Sequence, residues 1–257
     1  MAVKNKFNQQ CLTYSQISMI FNSRIFWRRF TTWIRVYIIS RYLGIGTEEE
    51  AFGRLYIETS GVGDMLQIIF ERENARRVSQ LLNLIIFTLR DLISSQLSGN
   101  SEAMNQNVTR LFRSAEELSE FLAGINPYLN REEWENTMKT YIQNTIEEAN
   151  SFATGNYRQD IKTFGRLAEL SNQLGDLFAE AIYDYVTSGS QDVSGPATGD
   201  RQCVTYEQMN QIYRIRMFWF EMTTWVRAYM ISRYRGLGNV NQVKARLEQV
   251  PVEYVDT

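Results

Sequence analysis

The stretch CLTYSQISMIFNSRIFWRRFTTWIRVYIISRYLGIG at positions 11–46 returns in altered form as CVTYEQMNQIYRIRMFWFEMTTWVRAYMISRYRGLG at positions 203–238. At this fixed offset the two share Thr13/Thr205, Tyr14/Tyr206, Gln16/Gln208, Arg24/Arg216, Trp27/Trp219, Thr31/Thr223, Trp33/Trp225, Arg35/Arg227 and Tyr37/Tyr229, among others. Each copy opens on Thr-x-x-Gln, in which the threonine hydroxyl takes an amide three residues on and the glutamine reaches back. Each closes on Gly-x-Gly, which supplies the left-handed residue that ends a helix. The spacing therefore predicts two helices, over 13–43 and 205–235, each about 45 Å long. The first is followed by a long helical region and the second by a short tail, so the chain reads as one domain with a spare copy of its first helix.

Working outward, apolar residues recur at three- and four-residue steps through most of the chain, and prolines number only 3 in 257 residues. That pattern predicts an all-α protein. Thr47-Glu-Glu-Glu50 caps a short helical piece over Ala51 to Ile57 before a break at Ser60-Gly-Val-Gly63. Asp64 then caps a long helix from Met65 to Leu97. Further helices follow with inward faces Met104–Leu122, Trp134–Phe152 and Ile161–Tyr185, joined by loops short enough to make neighbours antiparallel. Residues 1–187 thus form an antiparallel bundle of four to five long helices. Residues 188–202 are a Gly- and Ser-rich linker with an r.m.s. span near 20 Å. Residues 203–257 carry the repeated helix and a tail that reads extended from Val250 to Val255.

The absence of histidine removes Ser-His-Asp and Cys-His catalysis and the Glu-x-x-His pairs of di-iron bundles. The acidic runs at Glu116/Glu117/Glu120, Glu147/Glu148 and Asp176/Glu180/Asp184 read as solvated helix faces. No catalytic residue, metal ligand or cofactor is expected. A net charge of −2 gives no pull toward nucleic acid. The most apolar run, Ile34 to Leu43, is interrupted by Arg35 and Arg41, too short and too charged to span a bilayer, and residues 1–10 lack an apolar signal core. The expected location is cytoplasmic. Cys11 and Cys203 occupy the same place in the two copies. They are expected to be inherited duplicates that stay reduced, although in an exported chain one protomer's Cys11 could join another's Cys203.

Between Tyr14 and Tyr42 five arginines stand among aromatic residues with no acid. Arg24, Trp27, Thr31 and Arg35 form one strip and Phe26, Phe30, Trp33 and Tyr37 another, and both recur in the second copy. An undiverged duplication, a basic surface for membrane or nucleic acid, or a packing role would each produce this. The packing reading has arginines bonding bundle carboxylates and stacking on Trp and Tyr. Because the matches run nearly all round the helix, both copies are expected in similar, extensively covered surroundings.

Arg214-Ile-Arg-Met-Phe-Trp219 with Thr223-Thr-Trp-Val-Arg227, together with Phe121-Leu-Ala-Gly-Ile-Asn-Pro-Tyr128 and Glu132-Glu-Trp134, resembles a family of small helical-bundle proteins of spore-forming Firmicutes. The label acetylglutamate kinase has sometimes been attached to that family. The resemblance covers Tyr14 to Val186 as one unit and the terminal helix again as an extra. It implies an all-α bundle. The kinase label finds no support, since such an enzyme needs an α/β sheet with glycine-rich phosphate loops. The family pattern places a histidine between the tryptophans, where this chain has Phe30 and Met222.

The expected function is a non-enzymatic scaffold that self-associates, donating the spare helix to a neighbouring protomer in a ring or filament. Its interface residues would be Arg24, Trp27, Trp33, Arg35, Tyr37, Arg216, Trp219, Trp225, Arg227 and Tyr229. The alternative is a ligand- or metal-binding bundle whose extra helix packs on its own domain.

Overall fold

The computed structural model describes residues 11–188 and 204–255. These form eight helices: α1 (Tyr14–Leu43), α2 (Glu48–Leu66), α3 (Arg72–Leu97), α4 (Ser101–Ile125), α5 (Arg131–Ala153), α6 (Tyr157–Ser188), α7 (Tyr206–Arg235) and α8 (Val240–Val255). The fold is an all-α bundle. Both repeated capping boxes form: Gln16 N–H donates to Thr13 Oγ1 at 3.3 Å while Thr13 N–H donates to Gln16 Oε1 at 2.7 Å, and Thr205 with Gln208 does the same. Gly44 and Gly236 end the two helices at φ 59° and 62°.

Helix α1 is the central rod, packed by α2, α5 and α6. Its Trp27, Phe30, Ile34 and Ile38 join Trp134, Met138 and Tyr141 of α5, Leu174 and Phe178 of α6, and the stripe of α3 from Ala75 to Ile93 in one apolar core. The α1/α6 crossing is unusually close at Gly175, where a Cβ would stand 2.6 Å from the Cα of Arg24. Only glycine fits that approach.

Helix α2 departs from the sequence expectation, running unbroken through Ser60-Gly-Val-Gly63 to Leu66, so that α3 starts at Arg72 instead of Met65. A glycine costs a helix only about 1 kcal/mol. Gly63 faces α3, where a Cβ would lie 2.3 Å from Ser79 Oγ. The glycine therefore serves close packing, and the break falls after Leu66. The tail differs as well: α8 continues through Pro251 to Val255 instead of extending. Its Val243 and Val250 are buried with Phe164 and Trp225, and that burial offsets the lost backbone bond.

Helix α7 lies beside α1, parallel and in register. Leu12 N–H donates to Val204 O at 2.9 Å at one end, and Arg235 donates to Gly44 O at 3.1 Å at the other. Its Met209, Tyr213 and Met217 pack on Ile20, Phe21 and Ala179. Cys11 is disulfide-bonded, which corrects the expectation of a reduced thiol; the bridge at Leu12 and Val204 brings the starts of the two copies together. Cys203 and the linker expected over 188–202, apart from Ser188, lie outside the described residues. Among the described residues no helix is long and apolar enough to cross a membrane.

The crossing at Gly175 gives the first test. Gly175→Ala should lower stability by about 1–3 kcal/mol, because neither backbone can yield to the added methyl. Urea unfolding followed by far-UV circular dichroism reads the difference.

Candidate association surface

Two guanidiniums fix α1 in its slot. Arg24 makes a two-pronged bond to Asp176 of α6, with Nε to Oδ1 at 2.6 Å and Nη2 to Oδ2 at 2.7 Å. Arg35 is wholly enclosed and faces two carboxylates, Glu148 of α5 at 2.5 Å and Asp160 of α6 through both of its oxygens. Phe164 and Trp225 flank the Arg35 guanidinium, with ring centroids at 4.6 and 5.2 Å. Between these anchors Trp27 meets Trp134 and Tyr141 edge-on, and Thr31 Oγ1 bonds Tyr141 Oη at 2.8 Å and Ser171 Oγ at 2.7 Å. Glu148 and Asp176 are thus structural partners, where the sequence pattern had placed them on solvated faces. Asp160, in no acidic run, completes the set, and only the fold brings it to Arg35.

The equivalent strip of α7 faces solvent. Trp27 is 3% exposed and Trp219 66%; Ile38 is 0% and Met230 63%; Ser23 is 3% and Ile215 64%. Arg216, Thr223, Val226 and Arg227 are exposed too, opposite the buried Arg24, Thr31, Ile34 and Arg35. The expectation that both copies sit in similar covered surroundings is therefore corrected. The physical reason is that α5 and α6 already enclose the α1 strip, so α7 docks on the outside of the bundle through a different face. Arg216 and Arg227 instead cover Phe21 and Trp33 at 4.8 and 5.8 Å, and neither makes an ion pair among the described residues.

The docked face of α7 is largely rewritten relative to α1. Asn210 takes Arg24 Nη1 at 2.8 Å where α1 has Ser18, and Tyr213 Oη donates to Asn172 Oδ1 at 3.0 Å where α1 has Phe21. Glu221, in place of Arg29, accepts from Arg28 at 3.3 Å and from Arg246 of α8 at 2.9 Å. Met209 and Met217 replace Ile17 and Ile25. Tyr206, Phe218, Trp225, Tyr229 and Ser232 are covered positions that keep their identity. Thus most residues that contact the home bundle have changed, while Ile212, Arg216, Trp219, Thr223 and Arg227 keep the α1 identities although they are exposed, with Arg216 and Arg227 held only by the rings of Phe21 and Trp33. Of the residues expected at an interface, Arg24, Trp27, Arg35, Tyr37 and Trp225 are buried within the chain, Trp33 and Tyr229 are half-buried, and Arg216, Trp219 and Arg227 are exposed. Ile215 and Met230 belong to the same exposed face. Comparing the burial of the two copies finds them; apolar periodicity does not, because polar and apolar residues are interspersed nearly all round α7.

A groove runs between α1 and α7, enclosing about 640 Å³. Trp33, Val36 and Ile39 form one wall and Trp219, Phe220 and Ile231 the other, with Arg29, Arg54, Arg216 and Arg227 at its edges. No family model matches the chain, and no curated protein or solved structure matches it at a significant level.

The Arg35 cluster has a pH signature. Burial drives the Glu148 carboxyl up to about 8; Arg35 opposes this and Asp160 adds to it. A carboxyl whose folded value exceeds its unfolded value near 4.5 contributes stability that is complete below that value and lost as pH rises through about 8. Urea unfolding of the native protein should therefore lose at least about 1 kcal/mol between about pH 5 and about pH 9. Glu148→Gln, which holds the neutral shape, should flatten that loss and be the more stable of the two at the alkaline end.

Proposed function

We propose that the protein is a non-enzymatic scaffold that self-associates by offering α7 to the bundle of a second copy. The observation that carries this reading is the exposed strip of α7, which repeats the chemistry that α1 buries. A strip of Ile212, Arg216, Trp219, Thr223, Val226, Arg227 and Met230 suits a slot lined by Asp176, Trp134, Tyr141, Glu148 and Asp160. Arg216 and Arg227 would there meet the carboxylates that Arg24 and Arg35 meet at home. Packing α7 on the α7 of another copy is disfavoured, since an antiparallel pair sets Arg216 against Arg227 with no acid on either strip. Met222 for Phe30, Val226 for Ile34 and Met230 for Ile38 exchange one apolar side chain for another and Phe220 replaces Arg28, while Ile215 for Ser23, the substitution that adds most bulk to a small site, falls beside a hollow of about 340 Å³ next to Met65, Ile69 and Ile182.

Such an exchange closes a dimer when reciprocal and propagates when it is not. Light scattering after size-exclusion chromatography tests it. Native protein should exceed its monomer mass of 30.1 kDa as concentration rises. Trp219→Glu should hold it at the monomer without lowering its melting temperature, because that side chain is exposed. A native chain that stays monomeric throughout, or a variant that assembles like the native protein, would remove the proposal.

A second reading has one observation in its favour. The groove between α1 and α7 is large enough for a small ligand, as in a binding bundle whose extra helix packs on its own domain.

A further inference from the structure

The groove has a polar end and an apolar end. Around Trp33 three guanidiniums gather: Arg54 lies 5.9 Å and Arg227 5.8 Å from its ring centroid, and Arg29 stands one turn earlier on α1. Among the described residues only one carboxylate serves them. Glu58 accepts from Arg29 at 2.7 Å and from Arg54 at 2.8 Å, which leaves Arg227 uncompensated and the cluster at a net charge of about +2. Toward the C-terminal ends of the two helices the walls become Val36, Ile39, Ile45, Ala228 and Ile231. The hydroxyls of Thr32, Thr223 and Thr224 donate to carbonyls of their own helices, at Arg28, Trp219 and Phe220. They therefore present no donor to a ligand, and the guanidiniums are left to recognise an anion.

We propose that this groove binds a single-chain amphipathic anion, with a carboxylate or phosphate head between Arg54 and Arg227 and an alkyl chain along Val36, Ile39 and Ile231. From Trp33 to Ile39 and beyond, the apolar wall runs about 10–15 Å, the reach of a chain of roughly ten carbons. A guanidinium offers a carboxylate or phosphate two parallel donors, and the nearby indole lowers the competition from water. A neutral amphiphile of the same length would leave Arg227 desolvated without a partner. The inference rests on the ligand-binding reading and concerns the monomer, in which Trp219 and Arg227 line the groove.

The probe is decanoate below its micelle concentration, titrated by calorimetry and by tryptophan fluorescence into full-length protein held dilute enough to scatter as a monomer. Saturable one-to-one binding is expected, with decanol bound roughly tenfold or more weakly. Arg227→Gln, a change at an exposed side chain, should weaken decanoate roughly tenfold and leave decanol nearly unchanged. Ala228→Trp, which fills the apolar end, should abolish both. Decanoate and decyl phosphate in solution stand for a free ligand, and vesicles containing phosphatidylglycerol stand for a lipid surface. Binding to vesicles alone, equal affinity for decanoate and decanol, or an Arg227→Gln variant that binds decanoate like the native chain would each overturn the proposal. Decanoate binding by a chain that never exceeds the monomer mass would remove the association reading and leave this one standing.

Discussion

A guanidinium enclosed in a helical bundle cannot shed its charge, so the bundle must bring carboxylates to it. Arg35 receives Glu148 from α5 and Asp160 from the start of α6, and this demand sets how those two helices close over α1. Removing Arg35 alone would strand acidic groups in the interior, which typically costs about 3–5 kcal/mol. Two carboxylates share one cation, and burial resolves the excess by favouring the protonated form of Glu148. The polar centre is therefore both an anchor for α1 and the pH-sensitive part of the core. Arg24 with Asp176 repeats the device three turns earlier at a less deeply enclosed site, where Gly175 lets the backbones of α1 and α6 meet.

The same constraint explains the position of α7. Its sequence would satisfy the slot that α1 fills, but a single chain has one such slot. Helix α7 instead lies alongside α1 through a face adapted by Asn210, Tyr213 and Glu221, and its Arg216 and Arg227 rest on Phe21 and Trp33 with no carboxylate partner among the described residues. An undiverged duplication would leave both faces alike. Here most of the docked face has changed and most of the exposed strip has kept its chemistry, which is the pattern that a second use of the strip would produce. The side-by-side arrangement also creates the groove, since two helices spaced by large side chains leave room between them.

Much of this architecture is legible in the sequence. Thr13 and Thr205 with their glutamines, and Gly44 and Gly236, fix helix ends by local hydrogen bonds and local backbone freedom, so the repeat could be delimited nearly to the residue. Where glycine or proline was read as punctuation, long-range packing decided otherwise. Gly63 is small because Ser79 approaches it, and Pro251 sits inside a helix because Val243 and Val250 are buried around it. Acidic residues were legible as a class but not by role. Glu147 and Glu148 are neighbours in sequence, yet one is near the surface and the other meets Arg35, a difference of 100° around the helix.

What the sequence by itself determined is the all-α class and the repeated helix with its caps, while it offered the pairing of arginines with bundle carboxylates and aromatic rings as one of three readings. These follow from periodicity, from hydrogen bonds spanning three or four residues, and from the cost of enclosing a cation. What only the tertiary structure decided is which copy occupies the slot and which face of the other remains in solvent. Trp27 and Trp219 have nearly the same neighbours in sequence and opposite fates, because burial depends on helices more than a hundred residues away competing for one space.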